Sequence, residues 1–201
     1  PRLRYRLADR SVRADNPLIG ARSSILDLVT GRFEAPAVLD LVALPPVRER
    51  FGLTDEHLAR LTEWVEVAQV RWGLDPVHRE PFGVPRAVDG NTWRAGLDRL
   101  LLGVAVFDEG APTVGDVEPL GVEGDDAVLA GSLAHALWRL GELAGQVDAT
   151  RTVAEWVGLL REVAADLLAA PADAPWQRDG LDRLLADLLD GAGDPPSAEP
   201  L

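Results

Sequence analysis

Tryptophan and arginine stand side by side, with glycine close behind, in two short stretches of the chain. The first is Val70-Arg71-Trp72-Gly73-Leu74-Asp75, and the second begins Asn91-Thr92-Trp93-Arg94-Ala95-Gly96 and continues to Gly103. A guanidinium group can pair with a phosphate and an indole ring can stack on a base, so these residue types could contact DNA. The same residues could instead be packing anchors, with glycine permitting close approach and arginine bonding internally. The residues alone favour packing, with structural anchors at Trp72, Trp93, Gly73 and Gly96, and they leave Arg71, Arg94 and Arg99 as candidates for DNA or partner contact.

Residue patterns that carry catalysis are missing from the sequence. All 20 basic residues are arginine, so a phosphate-binding loop of the G-x-x-x-x-G-K-[ST] type cannot lie in these residues. No cysteine is present, and His57, His78 and His135 are far apart and lack metal-ligand spacing. We therefore predict no catalytic residue, no cofactor and no metal site in this chain, and structural or surface roles for the histidines. Asp108-Glu109 lies in a predicted loop, and its use as a cation site is disfavoured.

Composition is typical of a water-soluble globular protein. The 201 residues are 47% hydrophobic and 26% charged, and no apolar run is long enough to span a bilayer. A signal-peptide pattern is absent, which predicts a cytoplasmic protein without membrane contact. Methionine is absent, and the sequence is therefore expected to be a piece of a longer chain.

Charge is distributed unevenly along the sequence. Residues 1–99 carry 15 arginines and 14 acidic residues, whereas residues 100–201 carry 5 arginines and 19 acidic residues. A strongly acidic surface repels the phosphate backbone. Any contact with nucleic acid is therefore expected in the first half.

Apolar residues recur mainly with helical spacing, which predicts a mainly α fold with one short N-terminal strand. Asn16 and Pro17 start a helix that ends near Gly31, and Pro36 starts another that Pro45-Pro46 ends. A longer helix is predicted from Thr54 to Gly73, and the next starts at Asn91 or Thr92 with Trp93, Leu97, Leu100, Leu101 and Val104 on one face. The acidic half has three apolar stripes, which run from Leu129 to Leu143, from Val153 to Leu167 and from Leu181 to Leu189. Thr152 and Glu155 form a capping-box pattern at the start of the second.

These patterns divide the sequence into five parts. The strand occupies 1–13, a first helical part with the Trp-Arg stretches occupies 14–107, and an irregular loop occupies 108–124. A second, acidic helical part spans 125–190, and 191–201 is expected to be a linker or a disordered tail.

Both Trp-Arg stretches resemble sequence signatures of a known family. They are similar to the R-W-G-[LI]-D and T-W-R-x-G-L-x-R-[LM]-L-L-G patterns of the RecC family, the gamma subunit of exodeoxyribonuclease V. Asn16-Pro17-Leu18, Arg32-Phe33 and Pro45-Pro46-Val47 continue the resemblance, which covers about residues 1–190.

The resemblance implies a fold and a function that the residues alone do not. The fold is the multi-helix inserted subdomain, called 2B, of a superfamily-1 helicase that has lost its motor residues. The implied function is a non-catalytic scaffold and subunit-contact module, acting in double-strand-break repair and recombination. Its implied partners are RecB-like and RecD-like subunits, together with double-stranded DNA ends and unwound single strands held by the whole ATP-dependent complex. The 2B insertion of an active UvrD-like helicase and a free-standing helical protein-binding adaptor remain alternatives.

Overall fold

A computed structural model describes residues 16–105, 117–122, 126–147 and 149–191. The strand predicted at 1–13, most of the loop predicted at 108–124 and all but the first residue of the tail predicted at 191–201 lie outside these ranges. Asp108-Glu109 and Asp125 also lie outside them.

The described residues form nine α-helices and one short 3-10 helix, so the mainly α prediction is confirmed. In chain order the α-helices are α1 Pro17–Val29, α2 Ala35–Ala43, α3 Pro45–Phe51, α4 Asp55–Val67, α5 Pro76–Arg79, α6 Trp93–Ala105, α7 Ala127–Ala144, α8 Val153–Leu167 and α9 Trp176–Gly191. The 3-10 helix spans Glu80–Phe82. Among these, no helix combines the length and the apolar character needed to cross a bilayer.

Helix α1 is central to the packing. It contacts α2, α3, α7 and α9, and it buries Leu18, Ala21, Ile25, Leu28 and Val29 as the sequence predicts. The side chain of Asn16 caps the helix by accepting a hydrogen bond from the Leu18 amide, and Pro17 occupies the first turn, where its missing N–H costs nothing. The buried apolar residues of the helices on both sides of the charge divide form one core cluster.

Helix ends differ from prediction in two places. Pro45-Pro46 ends α2 as expected, but it also forms the first turn of α3, because proline is as well suited to a helix start as it is unsuited to a helix interior. The helix predicted to reach Gly73 stops at Val67, and Gln69 then adopts a φ of 57°. That conformation turns the chain out of the helix, so residues 70–75 are free to pair with other segments.

The buried face of α6 also differs from prediction. Trp93, Gly96, Leu100 and Gly103 are buried, whereas Leu101 is 41% exposed. A pattern based on apolar side chains misplaces this face because two of its four positions are glycine. The face is one along which other parts of the chain approach the helix backbone closely.

Helices of the acidic half follow the sequence pattern closely. Helix α8 begins with the expected capping box, in which the Glu155 amide donates to Thr152 Oγ1 at 3.3 Å and the Thr152 amide donates to Glu155 Oε2 at 2.8 Å. Leu181 and Leu185 of α9 are buried and Leu184 and Leu189 pack against the core, so the apolar stripe runs to Leu189 as predicted, although Leu188 is 45% exposed.

Candidate functional site

The two Trp-Arg stretches lie side by side and bond through their backbones. The Arg71 amide donates to the Asn91 carbonyl at 2.9 Å, the Trp93 amide to the Gly73 carbonyl at 3.0 Å, and the Arg94 amide to the Leu74 carbonyl at 2.9 Å. Residues separated by about twenty positions in the sequence therefore form one continuous ladder of hydrogen bonds.

A third segment, the connection between α1 and α2, joins this ladder. The Gly73 amide donates to the Arg32 carbonyl at 2.9 Å, and the Ala35 amide donates to the Arg71 carbonyl at 2.9 Å. We call the contact among residues 32–35, 69–75 and 90–96 the signature joint. It is irregular backbone whose polar groups are satisfied across segments instead of within helices.

Trp93 and Trp72 occupy different environments in the signature joint. Trp93 is 2% exposed, and its indole Nε1 donates to the Phe33 carbonyl at 2.9 Å, so its one polar atom is satisfied in the core. Trp72 is half-buried, and its ring meets Phe82 edge to face with the ring centroids 5.7 Å apart. Trp93 therefore connects α6 to the α1–α2 connection, whereas Trp72 lies at the margin of the core.

Arg79, a residue that the sequence patterns do not single out, connects the segments. Its side chain is buried, with Nη1 donating to the Gly90 carbonyl at 2.8 Å, Nη2 to the Asn91 carbonyl at 2.8 Å, and Nε to the Trp72 carbonyl at 3.1 Å. A guanidinium group suits this position because its fixed fork of five N–H donors can serve several carbonyls at once. No local signal marks Arg79, because its partners lie seven to twelve residues away in a loop rich in proline and glycine.

The positive charge of Arg79 is stabilised by backbone carbonyl groups and by the Trp72 ring. In the part of the chain that the structure describes, no carboxylate forms an ion pair with it. Its guanidinium carbon lies 4.6 Å from the centroid of the Trp72 ring, a cation–π arrangement. Burial lowers the pKa of Arg79 from its usual value, but arginine stays protonated at any physiological pH.

The glycines of the two stretches occupy positions where a side chain would collide. Gly73 has a φ of +78°, and a Cβ there would lie 2.7 Å from Cγ of Arg79. A Cβ on Gly96 would lie 2.4 Å from Cγ2 of Val70. Glycine at these two positions lets Arg79 and Val70 approach the backbone.

Non-glycine residues with positive φ also gather in the signature joint. Among the described residues these are Phe33, Gln69 and Asn91, with φ of 54°, 57° and 62°. This conformation costs an ordinary L residue roughly 1–2 kcal/mol, less for asparagine. The Asn91 side chain offsets part of the cost by donating to the Gln69 carbonyl at 2.7 Å. Tertiary contacts therefore hold a backbone that local preference disfavours.

The three candidate contact arginines differ in their surroundings. The side chains of Arg71 and Arg94 are exposed and form no hydrogen bond with any described residue, although their amides are fixed in the ladder. Arg99 is half-buried, donates to the Glu118 carbonyl at 3.1 Å, and forms an ion pair with the Glu118 carboxylate at 3.8 Å. The side chains of Arg71 and Arg94 therefore remain available for an external contact, whereas Arg99 already serves an internal one.

Histidines are placed in three separate parts of the fold. His57 completes the cap of α4, with its Nδ1 accepting from the Thr54 amide at 3.3 Å, and His135 lies on α7 beside the Phe51 ring. His78 packs edge to face on Phe33 with the ring centroids 5.2 Å apart. The pKa of His78 is lowered, mainly by burial of the ring. The charge of Arg79 also lowers this pKa, whereas the charge of Asp75 raises it. No group of three or more histidine, aspartate or glutamate side chains in the described ranges is arranged to hold a metal ion.

Comparison with known proteins places the sequence of this chain in one family. A model of the fourth domain of the RecBCD enzyme subunit RecC matches residues 15–201. The chain is 39% identical over 193 residues to the RecBCD enzyme subunit RecC of Mycobacterium tuberculosis (strain CDC 1551 / Oshkosh), which covers 96% of this chain and 17% of that protein. Identity is 40% over 194 residues to the Mycolicibacterium smegmatis subunit, covering 96% of this chain and 18% of that protein.

Similarity extends beyond these two bacteria. The RecC subunit of Escherichia coli (strain K12) is 32% identical over 161 residues, covering 80% of this chain and 14% of that protein. The chain thus spans about a sixth of the length of the curated relatives it matches. With a family model that matches nearly its whole length, the chain belongs to the RecC family, to the part described as the fourth domain of that subunit.

Proposed function

We propose that this chain is a non-catalytic scaffold and subunit-contact module of a RecC-type gamma subunit. The complex would be an exodeoxyribonuclease V acting in double-strand-break repair and recombination, with RecB-like and RecD-like partners. Within the subunit, the module would be the 2B-like helical insertion of a helicase-like fold without motor residues.

The signature joint is the observation that carries this proposal. The two stretches that resemble the family signatures form backbone hydrogen bonds with each other, and the guanidinium of Arg79 donates to carbonyls of both stretches. Catalytic residues would instead converge on an accessible cleft with a free acid, base or nucleophile. A joint that fixes helices α1, α2, α4 and α6 relative to one another suits a rigid scaffold.

Membership of the RecC family supports this proposal over its rivals. A UvrD-like helicase insertion would be expected to match a helicase family, and a free-standing adaptor has no reason to be 39% identical to part of a much longer subunit. The motor itself would lie in other parts of the complex.

Arg71 and Arg94 supply candidate contacts for the module. Their exposed guanidinium groups lie in the half of the chain with balanced charge, and the ladder fixes the backbone that carries them. We assign to them a contact with the DNA backbone or with an acidic surface of a partner subunit.

The experiment uses the full-length gamma subunit together with its purified RecB-like (beta) and RecD-like (alpha) partners. Deleting residues 14–190 should abolish assembly of the complex, because the partners lose a contact surface. The double substitution R71E/R94E should weaken assembly or DNA-end binding at least several-fold. The matched control is R161E/R178E, which reverses two exposed arginines of the acidic half.

Assembly and chemistry must be measured separately. In whatever complex still forms with R71E/R94E, ATP hydrolysis and DNA cleavage per assembled complex at saturating DNA should match the unaltered complex, because the proposal gives the module no reacting group. Unchanged assembly after the deletion would disprove the scaffold role. Normal assembly of R71E/R94E with cleavage per complex that stays lost at saturating DNA would disprove the non-catalytic assignment.

A further inference from the structure

A groove with a volume of about 480 Å³ lies between α1 and α2 and borders the signature joint at residues 32–34. Leu28, Phe33 and Leu41 form its apolar floor, and Ala37, at the middle of α2, leaves room above that floor. We call it the α1–α2 groove. A cleft between two packed helices is the usual receptor for an amphipathic helix that inserts apolar side chains.

The rim of the α1–α2 groove is acidic. Asp27, Glu34 and Asp40 line it, and all three are exposed. No arginine in the described ranges forms an ion pair with any of them. Three carboxylates around an apolar floor attract a cationic side chain and repel phosphate.

Two further features reinforce this charge. The C-terminal end of α1 borders the groove, and the last turn of α1 contains no basic residue. The partial negative charge of a helix C-terminus favours a nearby cation. Among the described residues, Arg32 is the arginine that lines the groove, and its guanidinium carbon lies 5.2 Å from the Phe82 ring centroid and 5.8 Å from that of Trp72, so it already contacts two aromatic rings.

We propose that the α1–α2 groove is a docking site for a basic amphipathic helix of another subunit of the complex. The helix would place apolar side chains on Leu28 and Leu41, and arginine or lysine beside Asp27 and Asp40. Residues 1–99 as a whole are nearly balanced in charge, so it is the local cluster of Asp27, Glu34 and Asp40 that favours a basic segment. This inference rests on the proposed function in taking the partner from the same complex.

Charge reversal provides the first arm of the test, in full-length gamma subunit with purified beta and alpha partners. D27R/D40R should weaken complex formation about tenfold or more at physiological salt, since like charges would then face one another across the contact. The control D187R/D190R makes the same change on exposed positions of α9 and should alter the affinity less than about threefold. Circular dichroism shows whether both variants keep their helical content.

Photo-cross-linking provides the second arm and identifies the occupant without altering charge. Benzoylphenylalanine in place of Ala37 should cross-link to one segment of a partner subunit that carries arginine or lysine within a turn of apolar residues. The same group in place of the exposed Ala186 of α9 should not label that segment.

The outcomes separate this inference from the proposed function. If deleting residues 14–190 abolishes assembly while D27R/D40R behaves like its control, the scaffold proposal stands and the groove assignment fails. Cross-links from position 37 to DNA, to another part of the gamma subunit, or to a partner segment without basic residues would also overturn it. Selective weakening by D27R/D40R together with a cross-link to a basic partner helix would establish it.

Discussion

The guanidinium carbon of Arg79 lies 4.6 Å from the centroid of the Trp72 ring, while Nε of the same group donates to the Trp72 carbonyl at 3.1 Å. One side chain thus contacts both the ring and the backbone of its neighbour. It also bonds to the carbonyls of Gly90 and Asn91, so its loss would leave the Trp72 and Gly90 carbonyls without their donor, while the Asn91 carbonyl would keep the Arg71 amide.

We therefore expect Arg79→Ala to lower the free energy of unfolding by about 3 to 5 kcal/mol. The substitution removes hydrogen bonds from a charged donor and also leaves carbonyls without a donor, and both effects destabilise the folded state. Arg79→Lys should recover only a small part, because an ammonium group cannot span carbonyls arranged for a planar fork. Urea unfolding of the chain, followed by circular dichroism, measures both. As a control, Arg86→Ala removes an exposed ion pair with Glu80 and should leave the unfolding midpoint almost unchanged. Equal losses for the two alanine variants would contradict the central role of Arg79.

Gly96 offers a prediction with its own internal test. Gly96→Ala should be destabilising by about 1 to 3 kcal/mol, because the new Cβ would lie 2.4 Å from Cγ2 of Val70. Adding Val70→Ala should cost less than the sum of the two single changes, since it removes the colliding methyl group. Gly131→Ala, in the exposed part of α7 with nothing within 4 Å, should be neutral or stabilising by up to about 1 kcal/mol. Strict additivity at Gly96 and Val70 would show that the close approach is not the cause.

Sequence reasoning succeeds where the determinants are local. Asn16 with Pro17, and Thr152 with Glu155, define the starts of α1 and α8 through contacts within one turn, and both are read correctly. Sequence reasoning fails where the end of a helix depends on contacts with residues that are far away in the sequence. Helix α4 stops at Val67 because residues 70–75 bond to segments around Phe33 and Asn91, which no window around Val67 contains.

In the candidate site, too, one key residue can be predicted from the sequence and another cannot. Trp93 can be found from its type and spacing, and the structure buries it. Arg79 carries no such mark, because an arginine in a loop rich in proline and glycine is ordinarily a solvated residue, and only the folded chain brings its carbonyl partners around it.

Trp93 can be tested for its polar atom separately from its size. Trp93→Phe removes the Nε1 donor and leaves the Phe33 carbonyl with the Gly73 amide, at 3.2 Å, as its donor, which should cost about 1 kcal/mol. Trp93→Ala also removes the buried ring and should cost about 3 to 5 kcal/mol. Trp138, which is 57% exposed, is the matched control, and its change to phenylalanine should have little effect. The same urea measurement would contradict this prediction if Trp138→Phe were the more damaging change.

Acid should destabilise the fold through His78. Burial lowers the pKa of His78 in the folded state, so the folded state prefers the neutral ring. The stability that His78 contributes is therefore present above the usual histidine pKa. It is lost as the pH falls through that value towards the lower pKa of the folded state. His78→Phe keeps an aromatic ring against Phe33 and Phe82 and should reduce the loss of stability below about pH 6.5. Unfolding curves across this pH range test the idea. An unchanged pH slope in the variant would exclude His78 as the cause.

Duplex DNA should bind the isolated chain weakly. The net charge of −13 opposes a phosphate backbone, and Arg71 and Arg94 alone supply few contacts. A gel-shift titration at physiological salt should show little complex, with modest gains at low salt that R71E/R94E removes. Tight binding that resists salt would be incompatible with this charge distribution.

Asn16 has a consequence for how the fold opens. Its Oδ1 accepts from the Leu18 amide while its Nδ2 donates to the Gln177 carbonyl at 2.9 Å, across 161 residues of sequence. One amide thus caps the first helix and ties it to the last, at a place where Gly180 has no side chain to push it away. Fraying of α1 therefore breaks a link to α9 as well, so amide exchange at its first turn would report on the detachment of the last helix more than on local motion.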